Sequence, residues 1–360
     1  MAAEGALLDV SGLKVYFPVE KGIIVRKRVG WVRAVDGVDF KVSRGESLGL
    51  VGESGCGKST TAMAVARLEA LTAGKVLFEG RDLAALNPTE LRRARKDFQL
   101  VFQDPWSSLD PRMRVRDIIA EPMRIFARRG ELDLDPGAIG SRVTSLMESC
   151  GLSKSFAGRY PHEFSGGQRQ RVGIARALAL GPKLIIADEP VSALDVSIQS
   201  QILNLLKDLQ RQFNLTFLFI AHDLGVVEYF CDRIAVMYLG RIVETASSSQ
   251  LNHMPLHPYT RALLSAVPVP DPAQERVRKR LILKGDVPSP SVERIGCPFR
   301  ERCSEAMERC AREAPRLAVP AAPPSPASSP ASSPATAHAA GGQVAAGPGH
   351  EVSCFLYQGK

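Results

Sequence analysis

A glycine-rich loop at residues 52–60, GESGCGKST, constrains this chain of 360 residues more than any other feature. The loop fits the pattern G-x-x-x-x-G-K-[ST]. It follows a hydrophobic run at 47–51 that predicts a strand, and it precedes a stretch at 59–69 that predicts a helix. In that context glycines let successive backbone N–H groups point at phosphates, and the start of the helix adds its positive end. The sequence therefore predicts a P-loop that binds a nucleotide.

The residues of this loop divide the work of holding a nucleotide. Lys58 would neutralise the β- and γ-phosphate oxygens, and the hydroxyl of Ser59 would reach Mg²⁺. We interpret the cysteine within the loop as a small filler rather than a redox switch. The predicted nucleotide-binding residues are Gly52, Glu53, Ser54, Gly55, Cys56, Gly57, Lys58, Ser59 and Thr60.

A P-loop needs an acidic strand end to hold its metal, and the chain supplies one at 184–189. Four apolar residues there are followed directly by Asp188 and Glu189. Asp188 would hold Mg²⁺ through water, and Glu189 would polarise the water that attacks the γ-phosphorus. The structural alternative for Glu189 is a surface carboxylate at a strand end. Both halves of an ATPase site are thus predicted.

Composition describes an ordinary soluble protein with a basic surface. Hydrophobic residues make up 45% of the chain and aromatic residues 6%, and the formal net charge of +8 favours anionic partners without choosing among them. No run approaches 18 consecutive apolar residues, and the first residues lack the pattern of a secretory signal. We therefore expect a reducing, cytosolic location, where the seven cysteines are free thiols or metal ligands rather than disulfides.

The first 250 residues or so alternate short apolar runs with amphipathic stretches, which is typical of an α/β protein with a parallel sheet. The run at 234–238 is followed by Leu239-Gly240 and then 241–244, which predicts a hairpin. Other strands are predicted at 47–51, 98–102, 184–187 and 216–221, and helices at 59–69, 168–179 and 197–212.

A charge-free segment at 317–350 separates the end of the chain from the rest. It is rich in alanine, proline and serine and holds no Asp, Glu, Lys or Arg. Such a segment cannot build a core, so we predict a disordered insertion there, with order returning at 351–360.

Residues 164–171, FSGGQRQR, form a second helix start suited to anions. Two phosphate-binding helix starts for one nucleotide suggest that this one serves a neighbouring molecule. Here the chain resembles the ATP-binding cassette (ABC) ATPases, whose signature is Leu-Ser-Gly-Gly-Gln, with Phe164 in place of the usual leucine. The order of motifs matches as well, with Gln103 in the Q-loop, Asp195 in the D-loop and His222 as the switch histidine.

The resemblance implies an α/β fold, a RecA-like P-loop NTPase core with an antiparallel β subdomain, a helical signature subdomain and a small cysteine-containing C-terminal extension. The boundaries that we predict are 1–253 for the nucleotide-binding domain, with the helical subdomain at about 104–180. The C-terminal extension follows at 254–316, then the insertion at 317–350 and the chain end at 351–360.

The resemblance also implies a head-to-tail dimer with ATP between the P-loop of one cassette and the signature of the other. Gln103 would sense Mg²⁺ and the attacking water, His222 would stabilise the γ-phosphate and hold Glu189, and Asp195 would communicate across the interface. Phe17 would stack on adenine, with Tyr16 as the alternative and strand packing as the structural reading of either. The signature residues that would contact the partner's nucleotide are Ser165, Gly166, Gly167 and Gln168.

Within that family, longer sequence motifs show a closer resemblance to the ATP-binding subunits of oligopeptide and dipeptide importers, and specifically to the F-type member of the usual pair. They are QDPWSSLDPRM at 103–113, DEPVSALDVSIQ at 188–199 and LHPYT at 256–260. The implied partners are a paralogous or identical ATPase subunit, two transmembrane permease subunits and, indirectly, an extracytoplasmic substrate-binding protein. The implied location is peripheral, on the cytoplasmic face of the cell (inner) membrane.

Four of the seven cysteines fall near the end of the chain, at Cys297, Cys303, Cys310 and Cys354. Their spacings do not fit the short C-x₂-C pairs of a structural zinc site, but four thiolates suffice for a [4Fe-4S] cluster. Peptide-importer ATPases have a cysteine-bearing extension of this kind, so the resemblance suggests a cluster. Zinc and unliganded thiols remain alternatives.

Two other classes of function fit part of the sequence. A soluble ABC ATPase that acts on nucleic acid or ribosomes would suit the basic charge, but such relatives generally join two cassettes or carry a long coiled coil. A nucleotide-sensing module without turnover is opposed by Glu189 and His222. We therefore expect ATP and Mg²⁺ as the ligands and no nucleic-acid partner.

Overall fold

The computed structural model describes residues 5–22, 27–104, 108–133, 135–267, 280–283, 285–321 and 349–358. Residues 105–107 of the QDPWSSLDPRM phrase and residues 322–348 of the predicted insertion lie outside the described residues. None of the described helices has the length and apolar character needed to cross a bilayer.

A seven-stranded sheet forms the centre of the described structure, in the order β11-β10-β9-β3-β8-β7-β6. The five strands from β9 to β6 in this order run parallel, and β10 and β11 are antiparallel additions at one edge. The strands are β3 (Ser47–Val51), β6 (Phe98–Val101), β7 (Leu184–Asp188), β8 (Thr216–Ala221), β9 (Arg233–Tyr238), β10 (Arg241–Ser247) and β11 (Glu351–Val352).

Side chains of the central strands alternate between two hydrophobic cores, as expected of a parallel sheet covered on both faces. Ile185 and Phe217 enter one core together with the helices around the signature segment. Leu184 and Leu218 enter the other, beneath the second sheet. Both faces of the sheet are therefore covered where β3 leads into the P-loop and β7 ends at Asp188.

A second, antiparallel sheet of four strands has the order β2-β1-β4-β5. Strands β1 and β2 pair along a long antiparallel ladder, from Leu8 opposite Val42 to Lys21 opposite Lys27. The strands are β1 (Leu8–Lys21), β2 (Lys27–Val42), β4 (Ala73–Phe78) and β5 (Arg81–Asp82).

Ten α-helices are described, and α3, α4 and α5 pack on one another to form a helical subdomain. The helices are α1 (Lys58–Val65), α2 (Pro88–Ala94), α3 (Val115–Arg128), α4 (Pro136–Ser149), α5 (Gly166–Ala177), α6 (Val196–Phe213), α7 (Leu224–Phe230), α8 (Ser248–His253), α9 (Pro258–Ala266) and α10 (Arg309–Arg312).

The predicted strands and the predicted hairpin are confirmed. Leu239 and Gly240 both take positive φ, 43° and 77°, as the tight turn between antiparallel strands requires. The helix predicted over 59–69 is shorter, because Arg67 adopts a φ of 54° and ends the helical path after Val65. The chain end does more than regain order, since β11 pairs with β10 in the main sheet.

Candidate nucleotide-binding and hydrolysis site

The P-loop joins β3 to α1 at the carboxyl edge of the central sheet. Gly57 has a φ of 106°, and a Cβ at this position would lie 2.1 Å from the carbonyl oxygen of Ala34, so only glycine fits. Lys58 is buried, and its ammonium donates to the carbonyl oxygens of Gly52 at 2.8 Å and Glu53 at 3.0 Å. The positive charge therefore lies inside the curl of the loop, where phosphates would bind.

Ser59 and Asp188 bring two oxygen ligands together beside the loop. The Ser59 hydroxyl donates to Asp188 Oδ1 at 3.0 Å, across the gap between α1 and β7. Burial raises the pKa of Asp188, against the lowering effect of the Ser59 hydrogen bond. A hydroxyl and a buried carboxylate at this spacing fit Mg²⁺, which prefers oxygen ligands and is bound with substrate phosphates.

Glu189 is held between two polar side chains from different strand ends. Its Oε2 accepts from Gln103 Nε2 at 3.3 Å and lies 3.0 Å from His222 Nδ1. Its own φ is 46°, an uncommon conformation that the backbone hydrogen bond from its N–H to Ile220 O at 2.9 Å helps to hold. The carboxylate therefore lies between the ends of β6 and β8, which carry Gln103 and His222.

The signature segment forms the N-terminus of α5. Ser165 caps the helix, since its hydroxyl accepts from the Gln168 N–H at 3.4 Å while Gln168 Oε1 accepts from the Ser165 N–H at 3.1 Å. Ser165 is exposed, and within the described chain it shares its polar contacts with Gln168 rather than with the P-loop. The signature is therefore open to another molecule.

The D-loop segment packs directly against this helix start. A Cβ at Gly167 would lie 2.4 Å from Ile198 Cγ2, so the glycine allows close contact between α5 and α6. Asp195 caps α6 by accepting from the Ile198 N–H at 3.0 Å, and hydrogen bonds lower the pKa of its carboxyl, the Ile198 N–H most of all. Next to it, Val196 leaves 78% of its surface exposed.

The two candidate adenine-stacking residues differ in their partners. The hydroxyl of Tyr16 donates to Asp36, and the Arg33 guanidinium lies 5.8 Å from the centre of the Tyr16 ring. Burial, with that hydrogen bond to Asp36, raises the pKa of Tyr16 to about 12. Phe17 points to the other face of β1 and is 36% exposed. A free aromatic surface is thus present at Phe17.

The four C-terminal cysteines come together in the fold. The Cys297 N–H donates to the Cys310 carbonyl at 2.8 Å, and Cys297, Cys303 and Cys310 all act on the Cys354 thiol, whose pKa is raised to about 12, mainly by burial. Within the described residues, however, no three or more His, Cys, Asp or Glu side chains are arranged as a metal site. All seven cysteines are free, and Cys150 and Cys231 are buried.

Two residues far along the chain contact the P-loop without having been predicted to do so. The Tyr259 hydroxyl accepts from the Glu53 N–H at 2.8 Å, and the Arg302 guanidinium donates to both carboxylate oxygens of Glu53 at 2.6 and 3.0 Å. The sequence shows both residues within conspicuous phrases, LHPYT and CPFRERC, but it holds no signal that joins them to residue 53.

A central parallel sheet that ends in a P-loop and an Asp-Glu pair, with a separate helical subdomain that presents an S-G-G-Q helix start, defines an ATP-binding cassette. Comparison with known proteins agrees. Residues 35–192 match the family described as ABC transporter, and residues 243–310 match the oligopeptide/dipeptide transporter C-terminal region.

Individual relatives match over most of the chain. Similarity to the oligopeptide transport ATP-binding protein AppF of Bacillus subtilis is 51% identity over 99% of both chains. For OppF of Salmonella typhimurium it is 51% over 86% of this chain and 92% of that protein. The cassette MJ0796, solved as a dimer bound to ADP and Pi, aligns with a TM-score of 0.58 at 28% identity, over 67% of this chain and 98% of that one.

The chain therefore belongs to the ABC transporter family and, within it, to the ATP-binding proteins that carry the oligopeptide/dipeptide transporter C-terminal region. It is an ATPase of this family, whose members use ATP with Mg²⁺.

Proposed function

We propose that this chain binds and hydrolyses ATP to power an importer of dipeptides or oligopeptides. Its similarity to the AppF and OppF proteins runs through the cassette and the C-terminal region, which supports the same class of cargo. The partners would be a second cassette, identical or paralogous, and two transmembrane permease subunits at the cytoplasmic face of the membrane. An extracytoplasmic binding protein would deliver the cargo.

One observation carries the hydrolytic part of this proposal, namely the placement of the Glu189 carboxylate between Gln103 and His222. A general base must lie within hydrogen-bond reach of the water that it activates, and Glu189 directly follows Asp188, the candidate ligand of Mg²⁺, at the end of β7. His222 would keep the carboxylate in place and contact the γ-phosphate. Gln103 would sense Mg²⁺ and the attacking water.

The remaining residues bind and neutralise the nucleotide. Lys58 and the P-loop N–H groups would hold the β- and γ-phosphates, and Phe17 would stack on the adenine. Ser59 and Asp188 would hold Mg²⁺, which neutralises charge on the transferred phosphoryl group when it is bound. None of these residues belongs to the signature segment, so the γ-phosphate would remain open to a second molecule.

A second cassette would close that face. The exposed helix start at Ser165 and the adjacent D-loop at Asp195 suit a head-to-tail dimer, and the aligned cassette MJ0796 is described as dimeric with ADP and Pi bound. ATP would draw the two surfaces together, and loss of the γ-phosphate would release them. The permease subunits would convert this closure into alternating access.

The test is the Glu189→Gln variant in the full transporter, reconstituted with its permease subunits. We expect ATP binding to be retained, and hydrolysis together with uptake of labelled trialanine to fall by about 10²-fold or more, since the general base is lost. Glu148→Gln, at an exposed glutamate of the helical subdomain, is the control. Full hydrolysis by Glu189→Gln would show that Glu189 is not the general base. ATP turnover by the wild-type complex without peptide uptake would contradict the proposed peptide cargo.

For the C-terminal cysteines we propose a [4Fe-4S] cluster as the ligand. Four thiols are the donors that such a cluster requires, and the Cys297 N–H donates to the Cys310 carbonyl at 2.8 Å, so two of the four lie in neighbouring segments. The cluster would have to draw the four sulfurs into a metal-binding arrangement, which the described residues do not show. Burial raises the pKa of Cys297 to about 11, so the free thiol is protonated and a bound metal would have to displace that proton. When bound, the cluster would join Cys297, Cys303, Cys310 and Cys354 into one unit.

Anaerobic purification tests this ligand. We expect a broad visible absorption band, an electron paramagnetic resonance signal on reduction and about four iron atoms per chain, all lost in Cys303→Ser. Cys150→Ala is the control, because its thiol lies outside the group. A colourless protein with stoichiometric zinc would support the zinc alternative, and a protein free of both metals would leave unliganded thiols.

A further inference from the structure

Glu53 joins the P-loop to the region after β10 through both its main chain and its side chain. Its backbone N–H donates to the hydroxyl of Tyr259, 206 residues later, at 2.8 Å. Its carboxylate forms a two-fold hydrogen-bonded ion pair with Arg302, 249 residues later, at 2.6 and 3.0 Å. Main chain and side chain of the second P-loop residue are thus both held by elements outside the region matched to the ABC transporter family.

The two residues that hold Glu53 are themselves fixed by a buried aromatic cluster. Tyr259 is fully buried, and its ring lies 4.8 Å from that of Tyr238 and 5.5 Å from that of Phe299, centre to centre. Phe299 and Arg302 share one turn, since the Arg302 N–H donates to the Phe299 carbonyl at 3.0 Å. The guanidinium therefore has little freedom to leave its position, and only 7% of its side chain is exposed.

Glu53 also touches the lysine of the P-loop. Its carbonyl oxygen accepts from the Lys58 ammonium at 3.0 Å, next to the carbonyl of Gly52 at 2.8 Å. The peptide groups on either side of Glu53 thus set where the ammonium lies. A shift of the residue that Arg302 and Tyr259 hold would move that charge.

The Glu53–Arg302 pair also balances charge at a site that must accept a polyanion. The Glu53 carboxylate is three-quarters buried and belongs to the phosphate-binding loop itself. Without the Arg302 guanidinium, this carboxylate would be an uncompensated negative charge. In a region of reduced dielectric it would repel the phosphates of ATP more strongly than it would in water.

We propose that Arg302 and Tyr259 are positioning residues of the nucleotide site, through which the C-terminal extension holds the P-loop and Lys58 in their binding geometry. The inference rests on the proposed ATPase function of this site. Because Arg302 and Tyr259 contact Glu53 and not Glu189, Gln103 or His222, we expect them to act on affinity for ATP more than on the chemical step.

The experiment compares Arg302→Met, Glu53→Gln and the double variant in the assembled transporter. We expect Arg302→Met to raise the KM for ATP about tenfold while kcat changes less than threefold, because an unpaired carboxylate then opposes the nucleotide. The double variant lacks that carboxylate and should recover most of the loss, with Glu53→Gln alone as its reference. Arg302→Lys, which keeps the charge without the two-fold geometry, should lie between.

Arg300→Met is the matched control for general damage to the turn. Arg300 lies two residues away and donates to the carbonyls of Ile295 and Ala311, with no contact to the P-loop. We expect its KM for ATP to match the wild type. Tyr259→Phe removes only the hydroxyl that holds the Glu53 backbone and should raise KM about threefold.

Three results would overturn the inference. They are a wild-type KM in Arg302→Met, a double variant as weak as Arg302→Met, and an equal loss in Arg300→Met. Binding of a fluorescent ATP analogue to the purified full-length chain gives the same order of variants independently of turnover. A wild-type complex that binds ATP without hydrolysing it would therefore refute the proposed function. The binding affinities of the variants for the ATP analogue would still test the role of Arg302 and Tyr259.

Discussion

Asp188 meets two opposed requirements, since a metal-binding carboxylate must be ionised and a residue that is 6% exposed is stabilised when neutral. Burial raises its pKa from the ordinary value of 3.8, and the hydroxyl of Ser59 offsets only part of that rise. A bound cation would reverse the balance, because its charge favours the carboxylate. In the nucleotide-free protein the ionised Asp188 therefore destabilises the fold at the place where Mg²⁺ would bind.

Asp188→Asn is expected to raise the stability of the nucleotide-free chain by about 1 kcal/mol at pH 7.5 while it removes hydrolysis. The amide keeps an oxygen for Ser59 and has no charge to bury. As pH rises past 3.8 the unfolded chain ionises before the folded one, so the wild type loses stability and the gap to the variant widens. Urea midpoints at pH 7.5 and 4.5 measure this, and a gap that is equal at both values contradicts it.

At the scale of elements, α9 links the sheet edge to the P-loop. His257 caps this helix by accepting from the Tyr259 N–H at 3.1 Å through Nδ1, and the same helix presents the Tyr259 hydroxyl to Glu53. His257 is buried, and burial lowers its pKa from 6.5 to about 4. The cap therefore works only while the imidazole is neutral.

His257→Asn should make the fold less sensitive to acid. Between pH 6.5 and about 4 the unfolded chain takes up the histidine proton and the folded chain does not, so the wild type loses up to ~3 kcal/mol of stability on acidification. Asparagine keeps a capping oxygen and does not titrate. Urea unfolding at pH 7 and 5 tests this, with exposed His162→Asn as the control, and equal pH dependence of both variants contradicts it.

At the scale of the whole molecule, the sequence was informative where the chemistry is local. The P-loop, the acidic end of β7 and the strands of the central sheet each follow from a few neighbouring residues. The structure adds the hold of Arg302 on Glu53 and the pairing of β11 with β10, which join residues far apart and depend on tertiary packing. The end of α1 was also missed, since the φ of Arg67 reflects its surroundings rather than its residue type.

The last prediction concerns the two-cassette arrangement. Ser165 and Ser247 both cap helices with a glutamine three residues later, so removal of either hydroxyl costs a similar amount, about 1 kcal/mol. Only Ser165 would also contact the nucleotide held by a partner. We expect Ser165→Ala to lower hydrolysis in the assembled transporter by about 10²-fold, because a donor to the γ-phosphate is lost, and Ser247→Ala to leave it near the wild-type rate.

Affinity for ATP distinguishes the nucleotide that the chain binds on its own P-loop from the nucleotide that it contacts on its partner. The isolated chain should bind ATP equally well as wild type and as Ser165→Ala, since its own P-loop is untouched, and only the assembled dimer should register the change. Equilibrium binding to the isolated chain and phosphate release from the complex measure the two quantities. A loss of affinity in the isolated Ser165→Ala chain would place the signature over its own nucleotide, and full turnover by the variant complex would remove the shared site altogether.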